Sequence, residues 1–157
     1  VTSVYGTEDA IGYVGPEDVD ATNNAKVARV NGLLPTVGNV VTALASVAPP
    51  ATVADRADPT KWAPVLPNPA SGYALVAYTN LIFGQCYKDA AVATAVRNFL
   101  TTHYSNPGNN AATIAHSFTP VPTNWKAAVT ANFVTNTSGN NLDINNASVC
   151  NAIGRPL

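Results

Sequence analysis

Apolar positions change their spacing at one place in the chain. Residues 73–83 form a nearly unbroken apolar run, the pattern of a buried strand. Gly84 breaks the run and Cys86 follows. From Asp89 onward Val92, Ala95, Val96, Phe99 and Leu100 recur at the i, i+3, i+4, i+7, i+8 spacing of one helix face. The pattern predicts a strand feeding an amphipathic helix, with a cysteine at the joint. Upstream, Val1 and Val4 share a helix-like spacing, and Ala10–Val14 reads as a short strand ending at Gly15-Pro16. Because the pattern starts without a capping residue, Val1 is expected to be a cut or to follow a missing region. Residues 26–34 alternate loosely around Asn31-Gly32, a strong turn dipeptide. Asn39 is expected to cap a short helix with Val40, Val41, Leu44 and Ala45 on its apolar face.

Residues 48–69 hold Pro49, Pro50, Pro59, Pro64, Pro67 and Pro69, a density that argues against helix and interior strand. Trp62, Val65 and Leu66 are apolar anchors within it, so an ordered irregular segment is expected. Residues 104–110 read as a turn and 111–118 as a short helix. Thr123 is placed to cap a further helix carrying Trp125, Ala128, Val129, Asn132 and Phe133 on one face. The tail, 136–157, is rich in Asn and Gly, too polar for a core, and expected to fray unless Cys150 ties it down.

Composition narrows the class. The chain has 157 residues, of which 46% are hydrophobic and 11% charged. The charged share is well below the usual figure of about 25%, so Asn, Thr, Ser and Ala must build the surface, as in many exported proteins. A net charge of −1 with no basic run argues against a nucleic-acid footprint. No apolar run reaches bilayer-spanning length.

Candidate chemistry is sparse. Glu17, Asp18 and Asp20 form an acidic turn without EF-hand spacing, better read as a solvated loop. His103 and His116 match no metal or catalytic spacing, and His103 is expected at a helix end, where a cation meets the dipole favourably. There is no Walker loop, GxGxxG, HExxH or GxSxG. Ser71-Gly72 presents backbone N–H groups that an anion could meet, a weak signal alone. Asn136 and Asn146 head glycosylation sequons, which matter only in a glycosylating host. Cys86 and Cys150, 64 positions apart, read either as free thiols or as a disulfide fastening the tail.

Several segments together resemble the closing half of a phosphate-binding protein, the periplasmic phosphate receptor of ABC import, and within that class the DING subfamily. They are 10–14, 26–30, Ala54-Asp55-Arg56 with Trp62 and Pro64-Val65, the block Ser71-Gly72-Tyr73 through Thr79-Asn80-Leu81-Ile82-Phe83, and Gln85-Cys86-Tyr87. Asn98-Phe99, Thr102-His103-Tyr104, Asn124-Trp125-Lys126-Ala127-Ala128-Val129, Val149-Cys150-Asn151 and Gly154-Arg155-Pro156 complete the set. The resemblance implies an α/β chain, part of a type-II periplasmic-binding-protein fold. It assigns 1–47 to the end of the second lobe with a crossing segment, and 48–157 to the C-terminal part of the first lobe. It also implies a structural disulfide between Cys86 and Cys150.

The family holds its phosphate mainly through residues of the N-terminal half, among them an Arg followed by a Ser-Gly-Thr block, and that block does not occur here. The resemblance therefore carries no phosphate ligand onto this chain. It leaves no catalytic residue, metal site or cofactor, and a chain that is not itself an enzyme and binds phosphate weakly alone. It further implies export to the periplasm or medium and a missing N-terminal half, or another protein chain, as partner. A phosphatase-like DING protein and an interaction fragment with no ligand of its own are the alternatives.

Overall fold

A computed structural model describes residues 1–151, 153 and 154; Arg155 and Pro156 of the motif above lie outside the described residues. The described residues contain helices and turns but no named strand. The sole β pairing among them is the isolated bridge of Val30 and Leu33. That bridge bears out the Asn31-Gly32 turn. Both residues have positive φ, +50° and +78°, and the Val30 and Leu33 N–H groups donate to each other's carbonyls at 2.9 and 3.0 Å. This is the two-residue hairpin connection that Asn-Gly favours.

The strands expected over 10–14 and 73–83 do not form, so the α/β expectation fails at the level of this chain's own hydrogen bonding. A strand needs a neighbour's N–H and C=O groups, and among the described residues no segment pairs with either run. Ile11 and Tyr13 stand 89% and 100% exposed in consequence.

The helices follow the sequence pattern more closely. They are α1 (Thr2–Tyr5), α2 (Val37–Leu44), α3 (Val53–Ala57), α4 (Ala90–Ser105), α5 (Pro107–Ala115), α6 (Thr123–Val129) and α7 (Ala147–Cys150). Asp89, where the helical periodicity begins, caps α4 by accepting from the Ala91 N–H at 2.7 Å. Four expectations change. Pro122, not Thr123, holds the N-cap position of α6, and Thr123 is its first helical residue. Thr36, not Asn39, holds the N-cap position of α2; the Asn39 amide lies one turn inside and donates to the Leu34 carbonyl at 2.8 Å. The proline-rich segment accommodates α3, a single turn fitted into the proline-free run between Pro50 and Pro59 and capped by Thr52. Helix α5 begins at Pro107, inside the expected turn, because proline suits the first helical position.

The chain divides into two units. The first, Val1–Ser46 with Leu66–Ala77 and Asn110–Pro120, packs Leu34, Ala43 and Leu44 inside. Gly72 lies against the α2 backbone at φ +82°, where a Cβ would collide with Ala43 and Asn39. The Tyr73 N–H then donates to the Asn39 carbonyl at 3.0 Å.

The second unit is Val47–Val65, Tyr78–Asn109 and Val121–Leu157. Its core is Ala93, Leu100 and Ile144, with Phe83, Tyr87, Val96, Tyr104, Phe133 and Val134 packed around them. Burying a side chain such as Leu100 stabilises by about 1.5–3 kcal/mol. Helix α6 passes into a π-turn, Thr130–Val134. The wider turn carries Asn132 inside the face that the sequence reads as mostly apolar. There its amide donates to the Ala128 carbonyl at 2.8 Å and its oxygen accepts from Asn140 at 3.2 Å.

Candidate functional site

The candidates singled out from sequence do not converge. Glu17, Asp18 and Asp20 are exposed, and Asp20 caps its own turn by accepting from the Thr22 N–H and hydroxyl. Those bonds hold its carboxyl below the usual range. Ser71-Gly72 forms the helix-packing turn described above, not an anion cradle. Among the described residues no group of three His, Cys, Asp or Glu is placed to hold a metal ion.

His116 is exposed just past α5. His103, in the last turn of α4, stacks on Phe99 at 5.8 Å and meets the edge of Tyr104 at 4.8 Å. Its Nδ1 lies 2.9 Å from the Asn109 amide nitrogen, so its polar partner is an amide and not a hydroxyl nucleophile. Burial, then the nearby Lys126 charge, lowers its pKa from the ordinary 6.5. The favourable meeting of a cation with the helix dipole, expected from sequence, is outweighed by desolvation.

What the structure does assemble is a clamp on the C-terminal segment. Cys86 and Cys150 form a disulfide with Cα atoms 5.4 Å apart. Beside it Asn145 treats residue 87 as a neighbouring strand would. Its Oδ1 accepts from the Tyr87 N–H at 2.6 Å and its Nδ2 donates to the Tyr87 carbonyl at 3.0 Å. The Asn145 N–H donates to the Gln85 carbonyl at 2.8 Å, and the Gln85 amide donates to the Asn141 carbonyl at 2.6 Å. Ile144 is 0% exposed between them, and the Arg97 guanidinium donates to its carbonyl.

The two sequons belong to this network. Asn146, 8% exposed, caps α7 through the Ser148 N–H and donates to Asp143 at 2.6 Å. Asn136 exchanges hydrogen bonds with Asn141 through both its amide atoms. Both amides are structural, and a glycan on either displaces these bonds.

Sequence reasoning missed the aromatic wall of the second unit. Trp62 sits edge-on to Phe133 at 4.5 Å and to Trp125 at 6.2 Å, and Tyr78 lies 5.5 Å from Trp125. The indole N–H of Trp125 donates to the Val47 carbonyl and that of Trp62 to the Arg56 carbonyl, so the rings show only apolar surface to a cavity of about 90 Å³. Burial pushes the Tyr78 hydroxyl up to about 12. Trp62 and Trp125, the only tryptophans, were the available signal, but 63 positions of sequence separate them and no local period joins them.

Comparison with known proteins places this architecture. No family model matches the chain. Alkaline phosphatase L of Pseudomonas aeruginosa is 55% identical over 156 residues, covering 99% of this chain and 42% of that protein. A phosphate-binding protein from an unknown prokaryotic organism is 41% identical over 174 residues, covering 95% of this chain and 46% of that protein. The solved phosphate-binding protein from Stenotrophomonas maltophilia superposes with a TM-score of 0.80 at 41% identity, over 99% of this chain and 43% of that one. The periplasmic phosphate-binding protein PfluDING, solved with phosphate bound, gives 0.70 at 47% identity, over 80% of this chain and 36% of that one.

The chain thus spans less than half the length of the curated relatives it matches. The resemblance to DING-type phosphate-binding proteins holds along its whole length, and its fold is that of a part of them. One expectation is overturned. A chain outside enzymology was expected, but three relatives matching nearly all of it carry the name alkaline phosphatase L. Only the phosphatase-like alternative that the resemblance offered pointed this way, since no catalytic motif occurs in the chain.

Proposed function

We infer that this chain is the C-terminal part of an exported, two-lobed DING-type phosphate-binding protein, and that the complete protein binds inorganic phosphate. The observation that carries the reading is the whole-length match, at 41–55% identity, to proteins named for phosphate binding or phosphatase activity. The disulfide supports an oxidising compartment, periplasmic or extracellular. No helix among the described residues is long and apolar enough to cross a membrane. On this reading 1–47 closes the second lobe and 48–157 completes the first. The direct phosphate ligands lie in the remainder of the protein, while this chain buttresses them.

The relatives' name favours a second reading, in which the complete protein also hydrolyses phosphate esters. Isothermal titration with inorganic phosphate tests the first. The chain alone should give no tight binding, and the chain combined with the remainder of a relative should bind. Tight binding by residues 1–157 alone would overturn the assignment of the ligands. Release of p-nitrophenol from its phosphate ester by the same preparations tests the second.

A further inference from the structure

Asparagine is plentiful in this chain, but glycine follows it only once, at Asn31-Gly32. The backbone nitrogen after an asparagine can attack the asparagine's side-chain carbonyl carbon. A side chain on the following residue crowds that approach, and glycine has none. At Gly32 the approach is open. Both residues are exposed, and beyond the chain neighbours no heavy atom lies within 4 Å of where a Cβ would stand. The Gly32 N–H has no acceptor, and the Asn31 side chain has no hydrogen-bond partner, among the described residues. Other amides are engaged: those of Asn136, Asn140 and Asn145 donate to Asn141, Asn132 and the Tyr87 carbonyl. Little restrains the turn itself. The bridge of Val30 and Leu33 is isolated, with no ladder continuing from it, and the Arg29 guanidinium donates to the Gly32 carbonyl at 2.7 Å.

We propose that Asn31 is a self-modification site, converted in the folded protein to isoaspartate and aspartate through a succinimide. The Gly32 nitrogen bonds to the Asn31 Cγ. The Cγ–Nδ2 bond breaks, and ammonia leaves with the proton that the Gly32 nitrogen gave up. Water then opens the imide. Attack at the main-chain carbonyl leaves isoaspartate, and attack at Cγ leaves aspartate. Ring closure needs the turn to open for a moment, and one isolated surface bridge opens readily. Isoaspartate routes the main chain through its own Cβ, which adds a methylene to a two-residue connection. The paired bonds between the Val30 and Leu33 N–H and C=O groups are then lost, because that pairing depends on the length of the connection. The change stands directly before Leu34, which is buried in the first unit, and it sets a carboxylate beside Arg29. It is independent of what the complete protein binds.

The test incubates the chain at mildly alkaline pH, folded and in urea, and follows each asparagine by peptide mass spectrometry. The peptide spanning 31–32 should show amide-to-acid conversion at least tenfold faster than any other, with isoaspartate exceeding aspartate. Hydroxylamine should cleave the chain between 31 and 32 by trapping the imide. The folded chain should convert within tenfold of the chain in urea. In the converted fraction, hydrogen exchange of the Val30 and Leu33 amides should quicken at least tenfold. Gly32→Ala restores the crowding and should slow conversion at least tenfold. The comparison is made in urea as well, where the strain of alanine at φ +78° plays no part. Another asparagine converting as fast, aspartate forming without isoaspartate, or unaltered exchange at Val30 and Leu33 would each overturn the proposal. So would a folded rate more than tenfold below the rate in urea, which would make the turn a shield.

Discussion

At the residue scale the tail depends on Asn145. Aspartate there keeps an acceptor for the Tyr87 N–H but loses the donor to the Tyr87 carbonyl. An unmatched polar group shielded from water costs about 1–3 kcal/mol, so Asn145→Asp should lower the urea midpoint correspondingly. His103 sets a pH dependence. Its folded-state pKa lies below the ordinary 6.5, so the unfolded chain binds the proton more tightly. Stability is therefore full above about pH 6.5 and falls as pH drops through that value. His103→Gln should flatten the fall of unfolding free energy below about pH 6.5, measured by denaturant titration at each pH. Neither residue's task was legible beforehand. Asn145 stands in a run that reads as solvated loop, and the pairing that gives it work spans 58 positions. The environment of His103 depends on Lys126, which comes from another helix.

Among the elements, α4 was the most legible, because its apolar positions keep one helical period from Val92 to Leu100. Asp89→Ala removes the acceptor for the Ala91 N–H and should cost about 1 kcal/mol in denaturant unfolding, with Asp89→Ser recovering most of it. The short helices were read to within a few residues, and their errors have local causes such as Pro107 at a helix start and Thr36 ahead of Asn39. Segments 10–14 and 73–83 fail differently. Their composition suits a sheet, but pairing is a property of two segments and neither run meets a partner among the described residues. A period-two or apolar pattern reports what a segment can bury, and not whether a neighbour exists.

For the molecule as a whole, the resemblance read from scattered blocks located the relatives and the disulfide, while residues alone supported little beyond an exported domain. The aromatic wall escaped both routes, because it is assembled from segments distant in sequence. Cross-linking residues 64 apart should stabilise the chain by about 4 kcal/mol through the unfolded state. Cys86→Ser with Cys150→Ser should lose most of that in thermal or urea unfolding. Limited proteolysis should then cut first between 136 and 150, where, apart from Ile144, side-chain amides rather than core packing hold the chain.

The clamp at Asn145 also bears on how such a protein changes over generations. Its amide reads the main chain of residue 87, and every L residue except proline presents the same N–H and C=O there. The contact is therefore blind to the side chain at 87, whose selection comes from the ring's own packing and from the Tyr87 hydroxyl accepting the Gly84 N–H. Position 145 has no such latitude, since few side chains both donate and accept in that geometry while sitting at φ +53°. Drift should be lopsided: substitutions accumulate at 87 subject only to packing, while position 145 stays put.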